Sequence, residues 1–148
     1  MECRVRASCV LRLLFVAVGV AAFAAGCSDS PTAPSTGSYS QTDVKVGTGT
    51  EATATSTVTV EYTGWFFDAT KADKKGVQFT TSAISGPAVF TAGGNSVIEG
   101  WERGVLGMKE GGSRRLIIPP SLAYGPNRYS AIPPNATLVF DIELVKVE

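Results

Sequence analysis

From Tyr39 onward the chain reads as short alternating segments cut by glycine and proline. Val44-Lys45-Val46 alternates and stops at Gly47. Thr57 to Tyr62 alternates more fully. Val58, Val60 and Tyr62 share one face and Thr57, Thr59 and Glu61 the other, which predicts a half-buried strand. Val77-Gln78-Phe79 and Val89-Phe90-Thr91 are two further short strands, separated by the breakers Gly86-Pro87. Arg114 to Ile118 turns Leu116 and Ile118 inward. Thr137 to Val147 sends Leu138, Phe140, Ile142 and Leu144 to one face, with Asp141 and Glu143 on the other. One segment has a helical period: Val97, Trp101, Val105 and Met108 recur at intervals of four and three, with Glu99, Glu102 and Arg103 between them. Gly100, Gly104 and Gly107 each weaken that helix by about 1 kcal/mol, so it needs a large apolar cover. The expected fold is α+β: a twisted antiparallel sheet of about five strands curved around one short helix. Phe90, Leu116, Ile118, Leu138 and Ile142 are assigned to its core.

The first 38 residues carry a different pattern. Arg4, Arg6 and Arg12 precede an apolar run, Leu13 to Ala25, that is short for a membrane span of about 20 residues. Its small-residue end, Ala24-Ala25-Gly26-Cys27, is that of a secreted precursor and resembles the bacterial lipobox, with Ala24 where leucine is usual. The expectation is a signal peptide over 1–26, a lipidated Cys27, and a flexible tether over 27–38. The Ser, Pro and Thr of Ser28 to Ser38 cannot build a core. Acyl chains on Cys27 would hold the protein to a bacterial membrane facing the periplasm. Ser28 after the cysteine, by similarity to enteric sorting rules, points to the outer membrane. The folded domain is expected over 39–148.

Composition narrows the chemistry. The chain has no histidine, and its three cysteines, Cys3, Cys9 and Cys27, all precede the folded pattern. The domain therefore offers no Ser-His or Cys-His nucleophile pair and no thiol or imidazole metal site; no metal or cofactor is expected. Acids and bases number 13 each. Without Glu2 and the three leading arginines there are 10 bases and 12 acids, a net of −2, which gives no general attraction for nucleic acid. Nothing heptad-like suggests more than a monomer.

Several short motifs then fall in one order. They are Val60-Glu61-Tyr62-Thr63-Gly64-Trp65, Val77-Gln78-Phe79, and Val97-Ile98-Glu99-Gly100-Trp101-Glu102. Gly111-Gly112 precedes Arg114-Arg115-Leu116, and Ala123-Tyr124-Gly125 and Ile132-Pro133-Pro134-Asn135-Ala136-Thr137-Leu138-Val139-Phe140 follow. Together, from about Thr57 to Glu148, they resemble the FKBP-type peptidyl-prolyl cis/trans isomerases. The resemblance implies an aromatic cup over the helix, with Trp101 as the floor and Tyr62, Phe79 and Phe140 as walls. It places Val97 and Ile98 on the rim, the Ile98 N–H and the Tyr124 hydroxyl as donors to substrate carbonyls, and Ile132 closing the side. Proline-containing polypeptides are the implied substrates, in the folding of cell-envelope proteins. Such a reaction needs no nucleophile, metal or proton transfer, which suits a domain lacking histidine and cysteine.

The chain departs from that family in four places. Thr80 stands where an aspartate usually follows the wall phenylalanine, and a hydroxyl brings no charge. Ala88 replaces a further aromatic, so the cup should be more open on that side. The loop from Gly125 to Ala131 is one residue shorter than the commonest eukaryotic form, and Tyr129 is a candidate to replace lost apolar surface. Asp68 to Gly76 reads as a charged, solvated insert. Reduced isomerase activity is expected. Macrolide binding follows from the family pocket but is weakened by Thr80. The rival readings are a proline-segment binding module and a chaperone with little catalysis.

Overall fold

The computed structural model describes residues 37–148. The predicted signal peptide, Cys27 and all but the last two residues of the predicted tether lie outside the described residues. Six strands form one antiparallel sheet: β1 (Ser40–Lys45), β2 (Thr57–Phe67), β3 (Lys75–Thr81), β4 (Ala88–Thr91), β5 (Ser113–Ile118) and β6 (Leu138–Val147). The order is β1-β5-β6-β2-β3, and β4 also pairs with β2. Strand β2 is long enough to serve two partners along one edge. Thr57 to Val60 pair with β4, and Thr63 to Phe67 pair with β3. A one-turn helix, α1 (Ser82–Ser85), connects β3 to β4 across the gap that Glu61 and Tyr62 leave.

The second helix, α2 (Glu99–Val105), lies against β5. Its glycines, unfavourable for helix formation, are what allow this approach. A Cβ on Gly100 would stand 2.4 Å from Ile118 Cγ2, and one on Gly104 would stand 2.3 Å from Leu116 Cδ1. The helix ends at Gly107, which adopts φ +74. Arg114, buried at 8% exposure, caps this end: its Nη1 donates to the carbonyls of Gly104 (2.8 Å) and Leu106 (3.1 Å). Its Nε bonds Asp43 of β1 at 2.5 Å, so one guanidinium ties the edge strand to the helix terminus.

The core lies between the sheet and α2. Val58, Val60, Leu116, Ile118, Leu138, Ile142 and Leu144 are fully buried there, with Trp101, Val105 and Met108 from the helical segment. The inward face of β6 is the predicted one, and Phe90 is core as expected. Val139 on the opposite face is also fully buried, between its cross-strand neighbours Trp65 and Ile117. Lys75 sits 4.0 Å above the Trp65 ring and bonds Asp141, which also takes two bonds from Arg115. Burial opposes ionisation of Asp141, but these cationic donors outweigh it and hold its carboxyl below the usual range.

The sheet has the six strands that the alternating segments mark out, against the five or so expected from them. β1 is its exposed edge, with Val44 61% exposed and Val46, just past its end, 73%. Two expectations change. The segment after Trp65 is not a loop throughout: β2 runs to Phe67, and Lys75 and Gly76 already belong to β3. Between them, Asp68 organises a turn by accepting from the Thr70 N–H (3.0 Å) and hydroxyl (2.6 Å). Helix α1 is an addition to the single predicted helix. Thr81 caps its first turn and Gly86, at φ +82, ends it.

Candidate active site

Trp101 is the centre of the site because α2 presents it to the sheet while three aromatic residues converge on its ring. Tyr62 meets it edge-on at 4.9 Å and Phe140 at 5.1 Å, and Phe90 lies tilted at 6.0 Å. Phe79 stands edge-on to Phe140 at 5.7 Å and is backed by Phe66, stacked at 4.9 Å. These edge-to-face contacts suit the ring quadrupoles and lock the side chains against one another. Gly64 makes the wall possible. A Cβ there would stand 2.6 Å from Phe140 Cε1 and 2.8 Å from Thr80 Cγ2.

Above Trp101 lies a cavity of about 360 Å³. Its lining includes Tyr62, Phe79, Thr80, Val97, Ile98, Trp101, Tyr124, Ile132 and Phe140, so every site residue expected within the domain comes to one place. Ala88, Ser96, Tyr129, Ser130 and Ala131 complete it. Cys27 lies outside the described residues. A larger depression of about 520 Å³, with Glu61, Thr63 and Glu143 in its lining, includes Asp141, whose charge is already paired. We assign the site to the smaller cavity, where the aromatic rings are.

Two of the donors at the cavity, both expected at substrate carbonyls, face no acceptor among the described residues. The Ile98 N–H, at the start of α2, bonds nothing among the described residues, although the Ile98 carbonyl accepts from Trp101 (2.9 Å) and Glu102 (3.3 Å). The Tyr124 hydroxyl is likewise unpaired among the described residues. Burial, helped by Tyr129 and Tyr62, pushes its ionisation above the usual phenol range, so it stays a neutral donor past the ordinary phenol pKa of about 10. Buried Trp101 Nε1 and Glu102 Oε1 also have no partner among the described residues.

The rings have two supports, Phe66 and Tyr129. Phe66 continues the phase of Val58, Val60 and Tyr62 in β2, opposite Leu138. Tyr129 stacks on Tyr124 at 4.5 Å and 11°, held by a tight pair of bonds, Tyr129 N–H to the Ile132 carbonyl (3.1 Å) and the reverse (2.8 Å). It is 58% exposed and lines the cavity, so it adds ring surface at the rim.

The comparisons with known proteins agree with this geometry. Residues 48–145 match the family model described as FKBP-type peptidyl-prolyl cis-trans isomerase. The chain is similar to the FK506-binding protein of Neisseria meningitidis serogroup C, at 45% identity over 89 residues, 60% of this chain and 76% of that one. Among solved structures it resembles AtFKBP13, with a TM-score of 0.63 and 32% identity over 74% of this chain and 93% of that one. It also resembles FkpA from Escherichia coli, with a TM-score of 0.62 and 39% identity over 74% of this chain and 48% of that one. With its fold, its aromatic cavity and its motif order in agreement, the chain belongs to the FKBP-type peptidyl-prolyl cis-trans isomerase family.

Proposed function

We propose that the Trp101 cup is where this isomerase acts, by favouring the twisted form of an X–Pro amide over the planar one. The barrier to rotation, about 18–20 kcal/mol, comes from amide resonance. Twisting the bond removes the resonance and lowers the charge separation across the amide. An apolar, water-poor cavity therefore discriminates in favour of the twisted state. Each 1.4 kcal/mol or so of preference for the transition state gives about a tenfold gain in rate. The observation that carries this reading is the cavity itself: four aromatic rings beneath and around a volume of about 360 Å³, with two unpaired donors at its edge.

In this reading the proline ring sits on Trp101, between Tyr62, Phe79 and Phe140. The Ile98 N–H and the Tyr124 hydroxyl hold the flanking carbonyls, so the rest of the peptide is fixed while the amide turns. Val97 and Ile132 shield the bond from water. Thr80 supplies no charge, and Ala88 leaves one side wet, so catalysis is slower than in a cup with a carboxylate and a further ring. Macrolide binding would be weakened for the same reasons.

Fluorescence locates the site. Trp65 and Trp101 are the two tryptophans of the chain, so Trp65→Phe leaves Trp101 as the sole reporter. A peptide with leucine or phenylalanine before proline should perturb that emission with the same concentration dependence that it shows as a substrate. Turnover without any Trp101 response would place the reaction elsewhere.

We also propose that Cys27 is lipidated and that the domain serves proline-containing segments of envelope proteins at a bacterial membrane. The lipobox-like Ala24-Ala25-Gly26-Cys27 and the Ser/Pro-rich stretch after it support this. Metabolic labelling with a fatty acid should mark the wild-type chain and not Cys27→Ser. Equal labelling of both, or of neither, would remove the anchor.

A further inference from the structure

Tyr62 lies in the gap between the two strands that pair with one edge of β2. Val60 pairs with Ala88 of β4 and Thr63 pairs with Thr81 of β3, which leaves Glu61 and Tyr62 between the two partners. Helix α1 fills this gap with side chains. The Tyr62 N–H donates to Ser82 Oγ at 3.1 Å, and the Tyr62 hydroxyl lies 2.9 Å from Ser85 Oγ. Ser85 Oγ is also 2.9 Å from the Thr81 carbonyl. A carbonyl can only accept, so the single Ser85 proton goes there. Ser85 must then accept from Tyr62. The chain of bonds has one direction: Tyr62 O–H to Ser85 Oγ–H to the Thr81 carbonyl. Thr80, where the family resemblance leads one to expect a carboxylate, bonds nothing through its side chain among the described residues.

We propose that α1 is a clamp on the Tyr62 wall, and that Ser85 is a positioning residue for isomerisation, acting through the Tyr62 hydroxyl. The clamp fixes the main chain of Tyr62 at one end and its hydroxyl at the other. Its ring is thereby held edge-on to Trp101. The phenol proton is committed to Ser85, so Tyr62 offers whatever enters the cup only lone pairs. Donation to a substrate carbonyl then falls to other groups of the lining, among them the Ile98 N–H and the Tyr124 hydroxyl. This inference rests on the cup being the isomerase site.

The test is a double-mutant cycle on the full chain, reading kcat/KM for a proline peptide and the affinity of a peptide locked in the trans form. Tyr62→Phe and Ser85→Ala should each lower kcat/KM about two- to tenfold, the worth of one neutral hydrogen bond. The double variant should be no slower than Tyr62→Phe alone, because the two residues act as a unit. Affinity for the trans peptide should stay unchanged. Ser85→Thr should keep the rate and Ser85→Val should lower it as Ser85→Ala does. These two share a shape and differ in the hydroxyl, so they carry the test if Ser85→Ala fails to fold. Additive losses, or a Ser85→Val rate equal to that of Ser85→Thr, would overturn the clamp. The cup reading fails separately: Tyr62→Phe and Tyr124→Phe would both turn over at the wild-type rate. If Tyr62→Phe slows the reaction while Ser85→Ala does not, the cup stands and the clamp falls.

Discussion

The two sides of the cup are built differently. On the closed side, Tyr62, Trp101, Phe140 and Phe79 touch ring to ring, with centroids 4.9 to 5.7 Å apart, and each stems from a strand or from α2. The remaining, more open part of the lining is Ala88, Ser96, Ser130 and Ala131, with the stacked pair Tyr124 and Tyr129 on a loop. The closed side is an outgrowth of the core: Trp101 and Phe140 are buried members of the same cluster as Leu116 and Ile142. The open side is a lining added to it. Damage to the first should therefore cost both fold and rate, and damage to the second rate alone.

The largest effect expected is at the floor. Trp101→Ala removes the ring that three others contact and should cost about 3–5 kcal/mol of stability, with isomerisation falling to background. Denaturant unfolding beside the rate would show it. A stable, inactive variant would mean that Trp101 belongs to the site and not to the core.

Tyr124→Phe is the matching test on the other side. Loss of one donor should lower kcat/KM by about two- to tenfold at unchanged stability. The raised ionisation of Tyr124 has a definite sign: the neutral donor persists above the usual phenol pKa of about 10. Activity should not fall at pH 9–10 through this group. A decline in that range present in wild type and absent in Tyr124→Phe would contradict it.

The back of the closed wall gives a control. Asp141 follows Phe140 in β6 but faces outward, paired with Lys75 (2.6 Å) and Arg115 (2.7 Å). Its folded pKa is depressed, so its contribution is complete above the unfolded carboxylate value of about 3.9 and fades as pH falls through the folded value. Asp141→Asn should cost about 1 kcal/mol at pH 7, with little change in rate, and should flatten the loss of stability below about pH 4. Urea titrations at the two pH values measure this. The smallest expected effect is a gain. Thr80→Asp should raise the rate a few-fold, about 1 kcal/mol or less. No gain would place the shortfall at Ala88.

The closed side was legible in the sequence because its residues obey a period. Phe140 sits on the inward phase of β6, Tyr62 on that of β2 and Trp101 on the apolar stripe of α2. The short motifs around them fixed their identities. The supports were less legible, for different reasons. Helix α1 is four residues long, too short for any helical period, although Thr81 and Gly86 are good cap residues. Tyr62 and Ser85 are bonded because β2 exchanges one partner for another between them, a tertiary fact with no local signature. By helix propensity alone the glycines of α2 are weaknesses. Their value lies in contacts with Leu116 and Ile118, more than ten residues away.

The most direct test of the whole account is the cis-to-trans rate of a peptide with phenylalanine before proline, measured against concentration of the full chain, wild type beside Tyr124→Phe. A rate rising in proportion to wild-type protein, with a slope about two- to tenfold lower for an equally stable Tyr124→Phe, is the expected result. A wild-type rate equal to the spontaneous one, or equal slopes for the two proteins, would contradict it.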